Sequence, residues 1–349
     1  MRPILFRIPF DGSLDLGPLG KLPVFGFGLL FGIWLAVGLF VWLRARRVSG
    51  AAPLPGDLAT FGVFGAVFVL APSIAARFGP NPGIPIFGYG LMMCLGFVSA
   101  TLLAARRATH VGFPPETIWD LTFLFLISGV GGARLFYLIQ HGDRVFANCQ
   151  TAGSYLVAAI SLWDGGLVLY GGLIAGTLVY WWFCSSRKLE AWKLGDLIVP
   201  SVFLGIAFGR FGCFLYGCCF GDRCSLPWAV EFPIESVAFK VQLQRGFVPP
   251  DALASLPIHP TQLYSVIDGV LLCLLTLAYY PLRSRDGSVV ALALLTYPVT
   301  RFFIERLRGD EMGQFGTSLT IAQWISLAML AGGIGLATLR TPLLKRSPG

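Results

Sequence analysis

Charge is what this sequence has least of. Only 13% of its 349 residues are Asp, Glu, Lys or Arg, against roughly a quarter in an ordinary soluble domain, and so few cannot clothe a water-facing surface of that size. Heptads are absent, which argues against a coiled coil, and no low-complexity tract appears. The opening MRPILFRIPFDGSLDLG has no apolar h-region, so a cleavable signal peptide is not expected. The eight cysteines are scattered apart from one cluster and do not form a secreted disulfide framework. The formal charge of +8 does not point to nucleic acid. Its Lys and Arg sit in short clusters between apolar runs and not on a basic, aromatic-studded face.

What is present is hydrophobic length. Residues of the apolar class make up 55% of the chain, and several runs approach the ~20 residues needed to cross a hydrocarbon core of about 30 Å. The chain therefore reads as an all-α polytopic membrane protein of about nine transmembrane helices. The expected spans lie near 22–43, 58–76, 84–105, 117–138, 165–185, 195–215, 263–282, 288–305 and 319–339. Arg44, Arg46 and Arg47, then Arg106 and Arg107, then Arg187, Lys188 and Lys193, then Arg283 and Arg285, and finally Arg340, Lys345 and Arg346 fall on one side. By the positive-inside rule that side is cytoplasmic, the N-terminus is outside, and the long loop at about 216–262 is outside too. LPVFGFGLLFG at Leu22–Gly32 echoes IPIFGYGLMMCLG at Ile84–Gly96, from gene duplication or from shared Gly/Phe richness. Residues 1–80 read as an extra two-helix segment, and 81–349 as a seven-helix domain.

Ionisable residues inside a membrane cost several kcal/mol unless paired or hydrated, and so mark function. Asp196 opens the sixth span, fourteen residues before Arg210; Arg134 stands near the end of the fourth; Asp268 lies in the seventh. Tyr297, Arg301, Glu305 and Arg308 recur every three or four residues and share one helix face. Glu305 can neutralise one or two of these arginines. Arg134, Arg210 and Arg301 then lack a matching set of carboxylates, which implies an anionic partner such as a phospholipid headgroup, suited to bidentate guanidinium binding. Ser201, Gly205, Gly209, Cys213, Gly217 and Gly221 step by four, a small-residue stripe for close helix approach; Gly172 and Gly176 form another.

Four motifs now stand in order: WDGGLVLYGGLIAG, GDLIVP followed after eight residues by GRFGCFLYGCCFG, HPTQLY, and YPVTRFFIERLRGDE. Together they resemble the bacterial phosphatidylglycerol–prolipoprotein diacylglyceryl transferase family over residues 84–340. The resemblance implies an enzyme of the bacterial inner membrane. It would transfer the diacylglyceryl group of phosphatidylglycerol to the thiol of the lipobox cysteine, next to the signal peptide of a prolipoprotein, and release glycerol phosphate. It maps the family's signature arginine and the glycine eleven residues on to Arg210 and Gly221. The second arginine and its glutamate map to Arg301 and Glu305, the first-helix tyrosine to Tyr89, and the remaining Asp and Arg to Asp196 and Arg134.

The chemistry suits those residues. A thiolate displaces a phosphate ester from a glyceryl carbon, and fixed guanidinium groups hold the charge of the leaving group. No metal or redox cofactor is required. Arg210 and Arg301 are thus assigned to the phosphate and Glu305 to orienting Arg301.

Departures from the pattern are equally specific. Tyr170 replaces the family histidine; a phenol of pKa about 10 is a poor base at neutral pH, so Tyr170 is expected to position lipid or thiol by hydrogen bond. Cys213, Tyr216 and Cys218 replace family polar residues, and Ser265 replaces an acid. His259 is retained, as a substrate-binding residue or an interface cap. Cys213, Cys218, Cys219 and Cys224 lack zinc-knuckle spacing and have no histidine close in sequence. They read as inert packing, or as a disulfide between Cys224 and Cys218 or Cys219. Three competing functions share the fold: a silent phospholipid-binding relative, a transferase with another acceptor, and a transporter built on the internal echo.

Overall fold

The computed structural model describes residues 4–8, 13–15, 21–23, 32–36, 84–147, 149–161, 165–310, 313–314 and 316–340. The chain divides into two compact units, Arg2–Leu91 and Met92–Gly349, the latter with Met1. Apart from 22–23 and 32–36, the expected spans at 22–43 and 58–76 lie outside the described residues.

In the smaller unit, β1 (Ile4–Ile8) pairs antiparallel with β4 (Ile84–Phe87), Phe6 opposite Ile86. A second antiparallel pair joins β2 (Ser13–Asp15) to β3 (Lys21–Pro23). The strand at 84–87 corrects the expected span, which began there. Pro85 cannot donate a backbone bond and pushes the residue before it into extended conformation, so the helix starts after it. That helix, α1, runs Gly88–Val111.

The larger unit is helical. It contains α2 (Pro115–Val145), α3 (Ala152–Ile160), α4 (Leu169–Ser186), α5 (Ala191–Tyr216), α6 (Val237–Gln244), α7 (Thr261–Tyr279), α8 (Ser288–Arg306) and α9 (Ile321–Arg340). Among the described residues α1, α2, α5, α7 with the 3₁₀ turn after it, α8 and α9 are long and apolar enough to cross a membrane. The 18-residue α4 falls outside that set, its Tyr and Trp residues diluting its hydropathy. Side chains such as Leu178 and Phe303 are about two-thirds exposed, as lipid-facing positions are.

Glycine decides how these helices meet. A Cβ on Gly171 would lie 2.3 Å from the Gly132 carbonyl oxygen, and one on Gly172 2.8 Å from that of Gly129. So α2 and α4 approach backbone to backbone through SGVGG and YGG. Gly171 and Gly172 make this contact, whereas Gly176 of the expected stripe only brushes Phe125. The α5 stripe does face a neighbour: Gly209 meets Met93 and Gly205 meets Ala100, both on α1. It ends as a helix at Gly217, which caps α5 in the left-handed region (φ +80°) with its N–H on the Cys213 carbonyl. Across the bundle Gly269 of α7 packs on Phe203 and Ala207 of α5.

The long connection after α5 is a small folded lobe. Phe220, Phe232, Ala238 and Ile258 form its core. Ser236 caps α6 by accepting the Phe239 N–H.

Candidate active site

The helical spacing read from the sequence brings Arg301 and Glu305 together on α8, with Arg301 Nη1 2.6 Å from Glu305 Oε2. Arg308 lies just beyond the helix, which ends at Arg306, and still reaches Glu305 at 3.3 Å. Glu305 is buried, and Thr320, at the entry to α9, donates its hydroxyl to Oε1 at 3.3 Å. One carboxylate therefore joins two guanidinium groups and the next helix.

The expected shortage of carboxylates is narrower than the sequence suggested. Arg308 is also gripped by Asp310 in a two-bond fork, Nε to Oδ1 and Nη2 to Oδ2, both 2.8 Å. Asp268 of α7 accepts the Thr300 hydroxyl at 3.0 Å and feels the charge of Arg301. What remains is Arg210. It stands half-buried one and a half turns before the end of α5, within the electrostatic reach of Arg301, and no carboxylate among the described residues pairs with it. Arg301 Nη1, though close to Glu305, has no acceptor in line with its N–H groups. Arg301 thus leans on Glu305 alone, and Arg210 adds a second positive charge that no carboxylate among the described residues answers.

Gly221 fixes the lobe against the end of α8. Its N–H donates to the His259 carbonyl at 3.0 Å, the next N–H, of Asp222, donates to Leu307 at 2.8 Å, and His259 N–H returns to Asp222 at 2.9 Å. A Cβ on Gly221 would sit 2.5 Å from His259 Cβ and 2.9 Å from the Leu307 oxygen. Only glycine allows the lobe to close on the end of α8. His259 serves this closure through its backbone, while its imidazole Nδ1 faces the Tyr264 hydroxyl at 3.3 Å. The residues after it hold the chain following α5: Thr261 Oγ1 donates to Cys219 O at 2.9 Å and Gln262 Nε2 to Cys218 O at 2.8 Å.

The other sequence-assigned residues have positions and partners of their own. Arg134 is buried and spends four hydrogen bonds on backbone carbonyls, those of Ala158, Ala159, Gly165 and Gly166, at 2.7–3.1 Å. It ties the end of α3 and the Gly165–Gly166 turn to α2, an architectural task. Asp196 is fully buried and accepts the N–H groups of Gly287 and Val290 at 2.8 and 2.9 Å, capping α8 at the end away from Glu305. Fourteen residues of helix, about 21 Å, separate it from Arg210. Tyr170 is the second residue of α4, beside the Gly171–Gly132 contact. Tyr89 is the second residue of α1 and belongs to the smaller unit. The Arg308–Asp310 fork and the Thr320 contact were missed; GDE directly after RLR was the signal available for the first.

Comparison with known proteins bears on this arrangement. A family model described as prolipoprotein diacylglyceryl transferase matches residues 73–339. A phosphatidylglycerol–prolipoprotein diacylglyceryl transferase from Rhodopirellula baltica is 28% identical over 96% of this chain and 88% of its own length. Proteins of the same name from Clostridium tetani and, as a second copy, from Clostridium perfringens are each 32% identical over 72% of this chain, covering 92% and 90% of their own lengths.

Proposed function

The chain belongs to the prolipoprotein diacylglyceryl transferase family, and on that premise we propose a mechanism in which Arg210 and Arg301 hold the phosphate of phosphatidylglycerol. The protein is a multi-pass membrane transferase of lipoprotein biogenesis, moving a diacylglyceryl group from phosphatidylglycerol to a prolipoprotein. In this reading the acceptor is the lipobox cysteine beside the signal peptide. The enzyme lies in the bacterial inner membrane, N-terminus outside, with the lobe after α5 on the outer side, as the Lys/Arg bias implies.

The thiolate sulfur attacks the glyceryl carbon as the bond from that carbon to phosphate oxygen breaks. A phosphodiester becomes a monoester carrying one more negative charge, balanced by the proton the thiol has lost. Catalysis then requires positive charge that is fixed before the bond breaks. The observation that supports the reading is Arg301, held on α8 by buried Glu305 at 2.6 Å while the charge of Arg210 on α5 acts on it. Gly221 closes the site, and Tyr170 and His259 are assigned to substrate positioning at its margin. Tyr89, Arg134 and Asp196, also substrate-binding by resemblance, act in this reading through the fold, Arg134 and Asp196 by the hydrogen bonds described above.

The direct test incubates the full chain with phosphatidylglycerol and a synthetic lipobox peptide and follows both products. The expected result is a diacylglyceryl mass added to the peptide cysteine and an equal amount of glycerol phosphate. Lipid binding without either product would refute the transfer.

A further inference from the structure

The sequence reading left Cys213, Cys218 and Cys219 as packing or disulfide residues, and the fold gives them another arrangement. Their three sulfur atoms lie within 4.8 Å of one another, and all three thiols are free. We propose that they form a binding site for one thiophilic d10 metal ion, Zn(II) or Cu(I), at the junction of α5 and the lobe. This site does not rest on the transfer reaction.

Geometry carries the proposal. Metal–sulfur bonds of about 2.3 Å put three sulfurs around one ion roughly 3.8–4.0 Å apart, so convergence requires a shift well under an ångström per residue. Convergence is built by backbone, since spacing alone does not produce it. Gly217 turns the chain left-handed at the end of α5, and Cys218 N–H returns to the Cys213 carbonyl at 3.2 Å. Cys219 follows at φ +57°, one of two non-glycine residues with positive φ among the described residues. A left-handed cysteine persists only where its surroundings impose it. Here Thr261 and Gln262 impose it by holding the Cys219 and Cys218 carbonyls. Gln262 is almost wholly buried, and its own Oε1 is left without a partner beside the cluster.

Charge is favourable as well. Three thiolates and a divalent ion leave one net negative charge, which the positive charges of Arg308 and Arg210 act to offset. Soft thiolate sets select Zn(II) and Cu(I) over hard ions.

The experiment uses the purified full chain, reduced and stripped of metal. Cobalt(II) serves as a spectroscopic probe for zinc, and anaerobic Cu(I) is titrated separately. One equivalent of Co(II) is expected to give a sulfur-to-metal charge-transfer band that zinc displaces. Saturation by Cu(I) alone would identify a cuprous site. Cys219→Ser should abolish stoichiometric binding, while Cys224→Ser should retain it. A second readout needs no variant: the bound ion should protect Cys213, Cys218 and Cys219 of the wild-type protein from alkylation, leaving Cys94 labelled. The proposal is overturned if neither ion binds stoichiometrically, if binding survives Cys219→Ser, if alkylation of the three is unchanged by metal, or if the native protein contains a disulfide between any two of them.

Discussion

Glu305 Oε2 lies 2.6 Å from Arg301 Nη1, one turn earlier on α8, while the same carboxylate reaches Arg308 at 3.3 Å. The side chains of all three are at most 12% exposed, so removing the carboxylate leaves two buried guanidinium groups to repel each other. Breaking one side of a buried pair costs about 3–5 kcal/mol. Glu305→Gln is expected to lower thermal stability by an amount in that range and to abolish transfer. The check is a melting curve in detergent beside a turnover assay; a stable, active Glu305→Gln protein would remove Glu305 as the organiser of the site.

Arg210 differs because no carboxylate among the described residues depends on it. Arg210→Lys keeps the charge and discards the planar fork. A loss of about 10²–10³-fold in kcat is expected, the scale for removing one fixed donor from a developing anion, with the melting temperature little changed. Near-wild-type turnover would mean that point charge suffices and that the fork plays no part.

Gly221→Ala tests the closure of the lobe. The new methyl would meet His259 and Leu307 backbone and side-chain atoms at 2.5–2.9 Å, and backbone does not yield cheaply. Overpacking of this kind costs about 1–3 kcal/mol. Because Asp222 N–H holds Leu307, next to Arg308, the displacement should reach the arginine cluster and lower activity more than stability. Hydrogen exchange at Asp222 and Leu307, compared with turnover, separates the two effects.

Part of this was open in the sequence. Arg301 and Glu305 could be paired because four residues on a helix make neighbours, and six of the seven later spans expected from apolar length coincide with helices long and apolar enough to cross a membrane. The task of Arg134 was hidden for a physical reason: its acceptors are backbone carbonyls at 158–159 and 165–166, which carry no side-chain signature. Asp196 was hidden largely in the same way: it caps the N–H groups of Gly287 and Val290, and its one charged partner, Arg283 at 3.6 Å, is far off in sequence. Gly221 stood out in the small-residue stripe and by resemblance, but its task did not, since the crowding that demands glycine comes from residues 38 and more positions away. The Cys213–Cys219 convergence depends on one left-handed turn at Gly217, which a stripe of small residues at i+4 reads as more helix.

Arg134→Lys makes the opposite prediction to Arg210→Lys. A lysine has three donors on one nitrogen and cannot span the four carbonyls that Arg134 joins. Stability is expected to fall by on the order of 2 kcal/mol, the scale of charge-assisted hydrogen bonds, with KM for phosphatidylglycerol unchanged in the folded fraction. A raised KM at unchanged stability would return Arg134 to the phosphate.

Tyr170 stands where the resemblance puts the family's histidine, so its hydroxyl is the group to test at that position. As the second residue of α4 it sits at the positive end of the helix. A phenol there is better placed to donate toward a forming anion than to take a proton at neutral pH. Tyr170→Phe should therefore lower kcat about 10–100-fold, the value of one charge-assisted hydrogen bond expressed as a rate, without altering the shape of the pH–rate profile. Loss of one limb of that profile would instead make Tyr170 the base. An unchanged rate would take it out of the site, and the thiol would then have to lose its proton without help from this helix.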